Sequence, residues 1–231
     1  MISKSPTWSD HGYVTIRFVC LANSVKEGGR CLAGIELNNN NEPLIGKNGP
    51  KWIRPICKTQ HGKIYTHWVA HIKLLDIVEI ESTGIPVKSS YQSENIFFKD
   101  EDLKIVGRFD RKELSRLCDN RYYIFGNWGK ALSTDEIVFL DHSLVLLHVN
   151  QFQILEKINP EDASKKKFRL QFSYNETKYD FPVTDPVFLQ LYGNNPSILK
   201  VVSSLYLCVS IGINFNGWYY KLVAGIIPAP S

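Results

Sequence analysis

The chain has 231 residues, of which 44% are hydrophobic and 12% aromatic, enough for one large core or two small ones. Its formal net charge of +4 is only mildly basic, so charge alone does not identify a polyanionic partner. Five cysteines, an odd number without a Cys-x-x-Cys pair, argue against both a disulfide framework and a structural zinc. We therefore expect free, mostly buried thiols in a cytoplasmic protein.

Targeting and membrane signals are also missing from the sequence pattern. The first eleven residues, Met1–His11, are polar and contain no apolar run, so we expect no signal peptide. No apolar stretch approaches the length needed to cross a bilayer, and we expect no membrane partner.

The N-terminal part predicts short strands separated by polar turns. Alternating, β-branched and aromatic residues predict strands at Tyr13–Cys20, Cys31–Leu37, Lys51–Cys57 and Leu74–Glu81. A glycine within a strand, here Gly34, marks a bulge or a close backbone approach. Pro55 cannot donate a ladder hydrogen bond, so it places its strand at an edge or next to a bulge.

The middle of the chain predicts one helix, further strand pieces and a domain boundary. Asp110–Leu117 is typical of a helix, with Asp110 as N-cap and Glu113 three residues later. Glu136–Leu147 is apolar and β-branched, which favours strand pieces. The polar stretch Asn159–Lys167 then predicts a linker, so we place the domains at residues 12–153 and 159–227.

The C-terminal part repeats the strand pattern. Phe168–Tyr174 and Lys178–Val183 flank a polar turn and predict a hairpin. Asp185 and Pro186 are suited to the first positions of a short helix that reaches Leu191. The last two strands are predicted at Tyr206–Ile211 and Tyr219–Ile227. Two runs of short strands with small helices predict a mostly β fold with minor α content, built as a pair of small barrels.

Several segments together resemble a known family. They are CLANSVKEGGRCLAGI at Cys20–Ile35, KWIRPI at Lys51–Ile56, LLDIVEI at Leu74–Ile80, YDFPVTDPVF at Tyr179–Phe188 and YLCVSIGINFNGWYYKLVAGII at Tyr206–Ile227. This combination resembles the bacterial dual OB-containing domain family. The resemblance implies two OB-like barrels and, from the genomic neighbours of family members, a role in prokaryotic defence or conflict systems. It supplies no catalytic residues and leaves residues 98–148 unmatched.

The first candidate binding face lies between Cys20 and Lys63. That stretch has seven basic and three acidic residues, an excess equal to that of the whole chain. Trp52 could stack on a base while neighbouring cations neutralise phosphates, and Gly28-Gly29 before Arg30 could let the backbone approach an anion. We predict binding of single-stranded nucleic acid or a nucleotide through Arg30, Lys51, Trp52, Arg54 and Lys58. Alternatively, Trp52 packs in the core and Arg54 pairs with an internal acid.

A secondary binding face is predicted from similar chemistry. Trp218 and Tyr220 lie beside Lys221, repeating the pattern of aromatic residues next to a cation. Asn23 and Ser24 add hydrogen-bonding groups near Arg30. The lysines at 165–167 could contact phosphates, although a solvated linker is the more usual outcome for such a run.

Catalytic and metal patterns are weak. His61, His67 and His71 supply three imidazoles without a cysteine or carboxylate between them, which is not typical of a zinc site. Asp141-His142 resembles an acid–base pair but has no nucleophile motif beside it, and phosphate-binding glycine motifs are lacking. We expect no catalytic residues, no metal and no cofactor.

Three classes of function stay open on these grounds. The leading one is a non-catalytic nucleic-acid or nucleotide-binding module. The second is a protein-interaction subunit of a multi-component defence system. The third is a nuclease or nucleotide hydrolase whose residues are dispersed along the chain.

Overall fold

A computed structural model describes residues 12–87, 91–159 and 162–230 of the chain. Strands hold 52% of the residues and helical turns 17%, which confirms the mostly β class with minor α content. Within the described residues, no helix is both long and apolar enough to cross a membrane. The N-terminal segment Met1–His11, from which we predicted the lack of a signal peptide, lies outside the described residues.

The first half of the chain forms a closed barrel. Its strands and those of a small hairpin are β1 Val14–Lys26, β2 Gly29–Leu37, β3 Ile45–Gly46, β4 Gly49–Pro50, β5 Trp52–Ile56, β6 Asp76–Pro86 and β7 Asn95–Arg108. The barrel closes in the order β1-β2-β5-β7-β6, and β3 pairs only with β4. A 3-10 turn, Gln60–Gly62, and one α-helical turn, α1 Thr66–Val69, lie between β5 and β6. All four strands predicted in this region are confirmed.

Two residues in the barrel behave as their chemistry predicts. A Cβ added at Gly34 would lie 1.8 Å from the carbonyl oxygen of Val19, so this position is a close backbone approach between β1 and β2. Pro55 pairs with Ile96 on β7, whereas β5 pairs with β2 only through Trp52 and Ile53. Pro55 therefore lies beyond the part of β5 that pairs with β2, where no backbone N–H is needed for a hydrogen bond to that strand.

The connection between the two halves contains the predicted helix in a different form. Arg111–Leu117 is a 3-10 helix, and the Asp110 side chain accepts a hydrogen bond from the Lys112 backbone N–H at 2.9 Å. The predicted N-cap is confirmed, whereas the helix type is tighter than expected. Its buried residues Leu114 and Leu117 pack into the core between the two halves, so tertiary packing determines the local geometry.

The second half contains two sheets. Its elements are β8 Ala131–Ser133, α2 Thr134–Ile137, β9 Leu144–Val149, β10 Phe152–Asn159, β11 Asp162–Tyr174, β12 Thr177–Pro182, α3 Pro186–Asn194, β13 Leu205–Phe215 and β14 Trp218–Pro228. The sheet orders are β8-β14-β13-β9 and β10-β11-β12, which together form a half-barrel rather than a second closed one. The predicted C-terminal hairpin, the Asp185-capped helix and the last two strands are confirmed.

Part of the region predicted as strand pieces begins with a helical turn. Ser133 and Glu136 form a capping box, in which each side chain bonds the other residue's backbone N–H, and α2 follows. The apolar residues of Glu136–Leu147 therefore divide between this turn and β9. Local capping chemistry, rather than the β-branched composition, determines how the segment starts.

Strand pairing divides the chain at a different point from residues 153–159. β8 and β9 lie within the predicted first domain, yet they pair with β14 and β13 of the second half. The polar stretch Asn159–Lys167 belongs to the β10–β11 hairpin, of which residues 160–161 are outside the described residues. The sheets instead separate between β7, which ends at Arg108, and β8.

The two halves share a hydrophobic core, which we call the inter-barrel core. Leu21 and Leu75 of the first barrel pack there with Leu146, Tyr206 and Ala224 of the half-barrel. β1 and β14 approach so closely that a Cβ added at Gly225 would lie 2.1 Å from the carbonyl oxygen of Leu21. The halves are therefore packed against each other and are not independent units joined by a linker.

Candidate functional site

The structure separates the residues of the first predicted face. Trp52 pairs with Ile35 on β2, and Arg30 lies five residues earlier on that strand, which corresponds to about 16 Å along a strand. Lys51 is exposed and forms a salt bridge of 2.8 Å with Glu36. Lys58 follows the end of β5 and is also exposed. Arg30 is half-buried and donates a hydrogen bond to the carbonyl oxygen of Asn23.

Arg54 is an internal residue. It forms the internal ion pair that we considered as the alternative to a binding role. It is 1% exposed and forms a salt bridge of 3.1 Å with the buried carboxylate of Glu94. Its guanidinium also donates to the hydroxyls of Ser143 at 2.9 Å and Ser210 at 3.2 Å. We correct its predicted role, because a residue held in this network cannot reach a nucleic acid. Arg54 instead joins the first barrel to the half-barrel.

The same strand explains the position of Trp52. Side chains two residues apart on a strand point to the same face, so Trp52 and Arg54 both face the half-barrel while Ile53 packs inside the first barrel. Trp52 is partly buried and packs against the inter-barrel core. It is therefore available only at the junction between the two halves.

Two residues predicted for the secondary binding face, Asn23 and Ser24, are also internal. Asn23 is buried and donates to the carbonyl oxygens of Val69 and Ile72 at 2.8 and 2.9 Å, thereby fixing the end of α1 to β1. Ser24 is 5% exposed. Both side chains are too enclosed for the ligand-binding role that we predicted for them.

The other three residues predicted for the secondary binding face lie on opposite faces of β14. Trp218 and Tyr220 are exposed on one face, whereas Lys221 has no exposed surface. The Lys221 ammonium donates to the carbonyl oxygens of Ile124 and Asn127 and to the Asn127 side chain, at 2.6 to 2.9 Å. Its predicted role as a binding residue is corrected to that of a structural residue that holds the 124–127 segment.

A groove lies directly beside that segment on the half-barrel. Its volume is about 480 Å³, and we call it the basic groove. Besides the buried rings of Tyr179 and Phe181, its aromatic and basic lining residues are Trp128, Lys130, Lys157, Arg169, Lys178 and Tyr220. Trp128 is 71% exposed and Tyr220 37%, so both rings are open to solvent. Within the described residues, the groove therefore combines exposed aromatic rings with four cationic side chains.

Strand alternation places the cations in this groove. Leu170 and Phe181 are buried beneath the β10-β11-β12 sheet, so their neighbours Arg169 and Asp180 lie on its outer face. Asp180 is the acid that lines the groove, and it forms a salt bridge of 2.6 Å with Arg169. A second cavity of about 370 Å³ shares Lys178, Tyr179 and Asp180 with the basic groove and extends it along the same sheet.

The remaining groove cations are not neutralised within the described part of the chain. There, Lys130, Lys157 and Lys178 are exposed and have no acidic partner. This arrangement differs from that of the first predicted face, where Lys51 and Arg54 are paired with acids. The electrostatic conditions for anion binding are therefore met on the half-barrel.

Sequence reasoning missed most of the basic groove. Trp128 lies in Gly126-Asn127-Trp128-Gly129-Lys130, an aromatic residue beside a cation in a polar turn, which is the signal that drew attention to Trp52. Arg169 occupies a position between the apolar residues of the predicted β11 strand, so its outward direction could have been inferred. No local signal could have shown that these two segments line one groove.

The histidines and cysteines are placed as follows. His61, His67 and His71 are all exposed, and among the described residues no group of three or more potential metal ligands is gathered. All five cysteines are free thiols, and burial raises the pKa of Cys118 to about 12. Burial also holds the pKa of Cys20 and Cys208 well above the usual value, so these thiols stay protonated and unreactive.

These features define the class of the protein. A closed five-stranded barrel packed against a half-barrel, with few short helices, is an OB-like architecture. The family model of the dual OB-containing domain matches residues 16–226, and the chain belongs to that family. The resemblance noted from the sequence is thereby confirmed.

Comparisons with individual proteins add little. No curated protein matches the chain. One similar solved structure is described as a murine DNA-binding protein bound with double-stranded DNA; it has 7% identity and a TM-score of 0.32, with 93% of this chain and 99% of that chain covered. Another concerns the abrogation of activation of pro-inflammatory cytokines, with 11% identity, a TM-score of 0.31 and coverages of 93% and 96%. TM-scores this low support no conclusion about shared function.

Proposed function

We propose that this protein is a nucleic-acid-binding module that holds a single strand in the basic groove. The observation that carries the proposal is the combination of two exposed aromatic rings, Trp128 and Tyr220, with three lysines in one groove that have no acidic partner among the described residues. Lysines neutralise phosphates, and an exposed ring stacks on any unpaired base regardless of sequence. Because bases in a duplex are already stacked, this chemistry favours a single strand.

The proposal is tested with a fluorescein-labelled oligothymidylate and anisotropy measured over a range of salt concentrations. Single-strand affinity falls with salt by about 0.7 log units per neutralised phosphate, so three lysines predict a slope near −2. Trp128→Ala and Tyr220→Ala should each weaken binding by about 1–3 kcal/mol, because each removes one stacking platform. Lys178→Ala should reduce the salt slope by about 0.7.

Matched controls come from the first barrel and the connection. Tyr65→Ala removes a ring that is 48% exposed outside the basic groove, and Lys112→Ala removes an exposed cation there. Both should leave affinity unchanged. If Trp128→Ala and Tyr220→Ala fold normally and bind as tightly as the original chain, the nucleic-acid proposal is wrong. The alternative of a protein-interaction subunit would then lead.

A role in a prokaryotic defence system is retained as part of this proposal because the family resemblance implies it. The residues of the basic groove give no evidence for or against that role. The binding experiment therefore tests nucleic-acid binding and does not test the defence role.

A further inference from the structure

A third cavity lies at the junction of the two halves, and we call it the junction pocket. Its volume is about 310 Å³, within the usual range for small-molecule sites. The residues that matter for its chemistry are Lys51, Trp52, Glu94, Arg121, Asp141 and His142. The β3–β4 hairpin closes one side, because the Asn48 side chain donates to the Asp141 carboxylate at 3.1 Å. Both halves of the protein therefore contribute to one pocket.

Residues that line the junction pocket carry buried polar atoms without partners. Only five such side-chain atoms occur in the described residues, and three of them belong to residues lining this pocket: Trp52 Nε1, Glu94 Oε2 and His142 Nε2. A fourth, Arg54 Nε, belongs to the ion-pair partner of Glu94. Native proteins almost always pair buried polar groups, so this concentration at one cavity indicates a place for a hydrogen-bonding ligand.

The side-chain chemistry sets the hydrogen-bonding pattern of that ligand. The Trp52 indole can only donate, and the ionised Glu94 carboxylate can only accept. His142 Nδ1 lies 2.7 Å from an Asp141 carboxylate oxygen, which must be the acceptor. With the His142 ring neutral, the proton is therefore on Nδ1 and Nε2 is left as an acceptor. The three unpaired atoms then offer one donor and two acceptors.

A ligand that matches must carry two donors and one acceptor. Among the common nucleobases, guanine alone has this set on its Watson–Crick edge, with two N–H donors followed by a carbonyl oxygen. Cytosine and uracil carry two acceptors and one donor there, and adenine carries one of each. We propose that the junction pocket binds a guanine base, with Glu94 and His142 accepting from its N–H groups and Trp52 donating to its carbonyl oxygen.

Two cations at the pocket could contact a phosphate on the same ligand. The Lys51 side chain is 57% exposed and paired with Glu36, and that of Arg121 is 41% exposed and lies 3.7 Å from Asp119, so a phosphate would compete with these two carboxylates. A guanine could arrive as a free nucleotide or as one base of a strand. This site is distinct from the basic groove, and its occupancy does not depend on the groove function proposed above.

Calorimetric titration of the full chain with GMP, AMP, CMP and UMP tests the proposal. We expect GMP to bind at least about tenfold more tightly than the others, because any other base leaves at least one of Trp52 Nε1, Glu94 Oε2 and His142 Nε2 without a hydrogen-bond partner. Trp52→Phe keeps the ring but removes the donor, and it should lower GMP affinity about fivefold or more. Glu94→Gln should abolish the preference for GMP. Circular dichroism and thermal melting of each variant separate loss of binding from loss of folding.

Two further arms identify the source of the guanine and separate the two proposals. If the guanine belongs to a strand, an oligothymidylate with one central guanine should bind more tightly than an all-thymidine strand, and GMP should compete with it. If GMP binds but the central guanine does not increase strand affinity, the ligand is a free nucleotide. Trp128→Ala is the matched control and should leave GMP binding unchanged. The guanine proposal is overturned if GMP binds no better than the other nucleotides, or if Trp52→Phe folds and binds GMP normally. The junction pocket would then be a cavity that holds only water. Oligothymidylate binding without GMP binding would overturn this inference and leave the groove function intact.

Discussion

At the scale of single residues, Lys221 shows how burial changes the role of a cation. Its ammonium is enclosed beneath the basic groove and is bonded to the segment that leads to Trp128. It also lies about 6 Å from the centroids of the Tyr179 and Phe181 rings. Lys221 therefore positions the groove without contacting a ligand.

Replacing Lys221 by Met should destabilise the fold by about 2–4 kcal/mol. The carbonyl oxygens of Ile124 and Asn127 would lose their buried donor, and each such loss costs about 1–3 kcal/mol. Urea unfolding measures the change, and Lys130→Met, at an exposed neighbour, is the control that should alter stability little. Equal stability of both variants would show that these hydrogen bonds contribute nothing.

The same lysine predicts a pH dependence of stability. Burial lowers the pKa of Lys221 from 10.5 to about 7, so between these values the unfolded chain binds a proton that the folded protein lacks. The free energy of unfolding should therefore rise as the pH increases from about 7 to about 10, by up to about 1.4 kcal/mol per pH unit. The stability difference between the original chain and Lys221→Met, measured by urea unfolding at each pH, isolates this contribution. A difference that is constant over that range would contradict it.

At the scale of elements, the β11–β12 hairpin combines an ideal alternation with a strained turn. Asn175 and Glu176 have φ values of 45° and 63°, both in the left-handed region. Asparagine tolerates this conformation, whereas glutamate is an unfavourable residue there. The hairpin carries Arg169 and Lys178 of the basic groove, so the turn also sets the register of the binding surface.

Glu176→Gly should stabilise the protein by about 0.5–1 kcal/mol. Glycine relieves the left-handed strain, which costs about 1–2 kcal/mol, but loses part of this gain to its greater chain entropy. Thermal unfolding measures the shift, and Lys178→Gly, at a position in the strand, should instead destabilise. A lower melting temperature for Glu176→Gly would mean that the Glu176 side chain makes a compensating interaction.

At the scale of the whole molecule, the two halves should unfold as one unit. They share the inter-barrel core, and the network of Arg54 and Glu94 with Ser143 and Ser210 is buried between them. Separating the halves would expose both the apolar residues and an ion pair. We expect one calorimetric transition whose van't Hoff and calorimetric enthalpies agree.

Gly225→Ala tests that coupling directly. The added methyl group would lie 2.1 Å from the Leu21 carbonyl oxygen, which forces β14 away from β1 and should destabilise by about 1–3 kcal/mol. Gly193→Ala is the control, because a Cβ there meets no atom within 4 Å. Scanning calorimetry should show a lower melting temperature for Gly225→Ala alone. An unchanged melting temperature would show that the halves are not held together at this point.

The local elements were largely determined by the sequence. Strand alternation, the turn at 175–177 and the caps at Asp110 and Asp185 rely on interactions between neighbours in the chain, which are visible in the order of residues. The family resemblance also came from local segments. These signals predicted the mostly β class and most strands correctly.

The tertiary structure alone decided which cations are available and where the halves divide. Lys51-Trp52-Ile53-Arg54 looks like a binding face in sequence, but a residue from each of two distant segments, Glu94 and Ser143, buries the arginine. Trp128, Lys157 and Lys178 look unrelated in sequence, yet strand pairing brings them to one groove. Burial and charge pairing depend on contacts between residues far apart in the chain, and the local sequence pattern carries no record of those contacts.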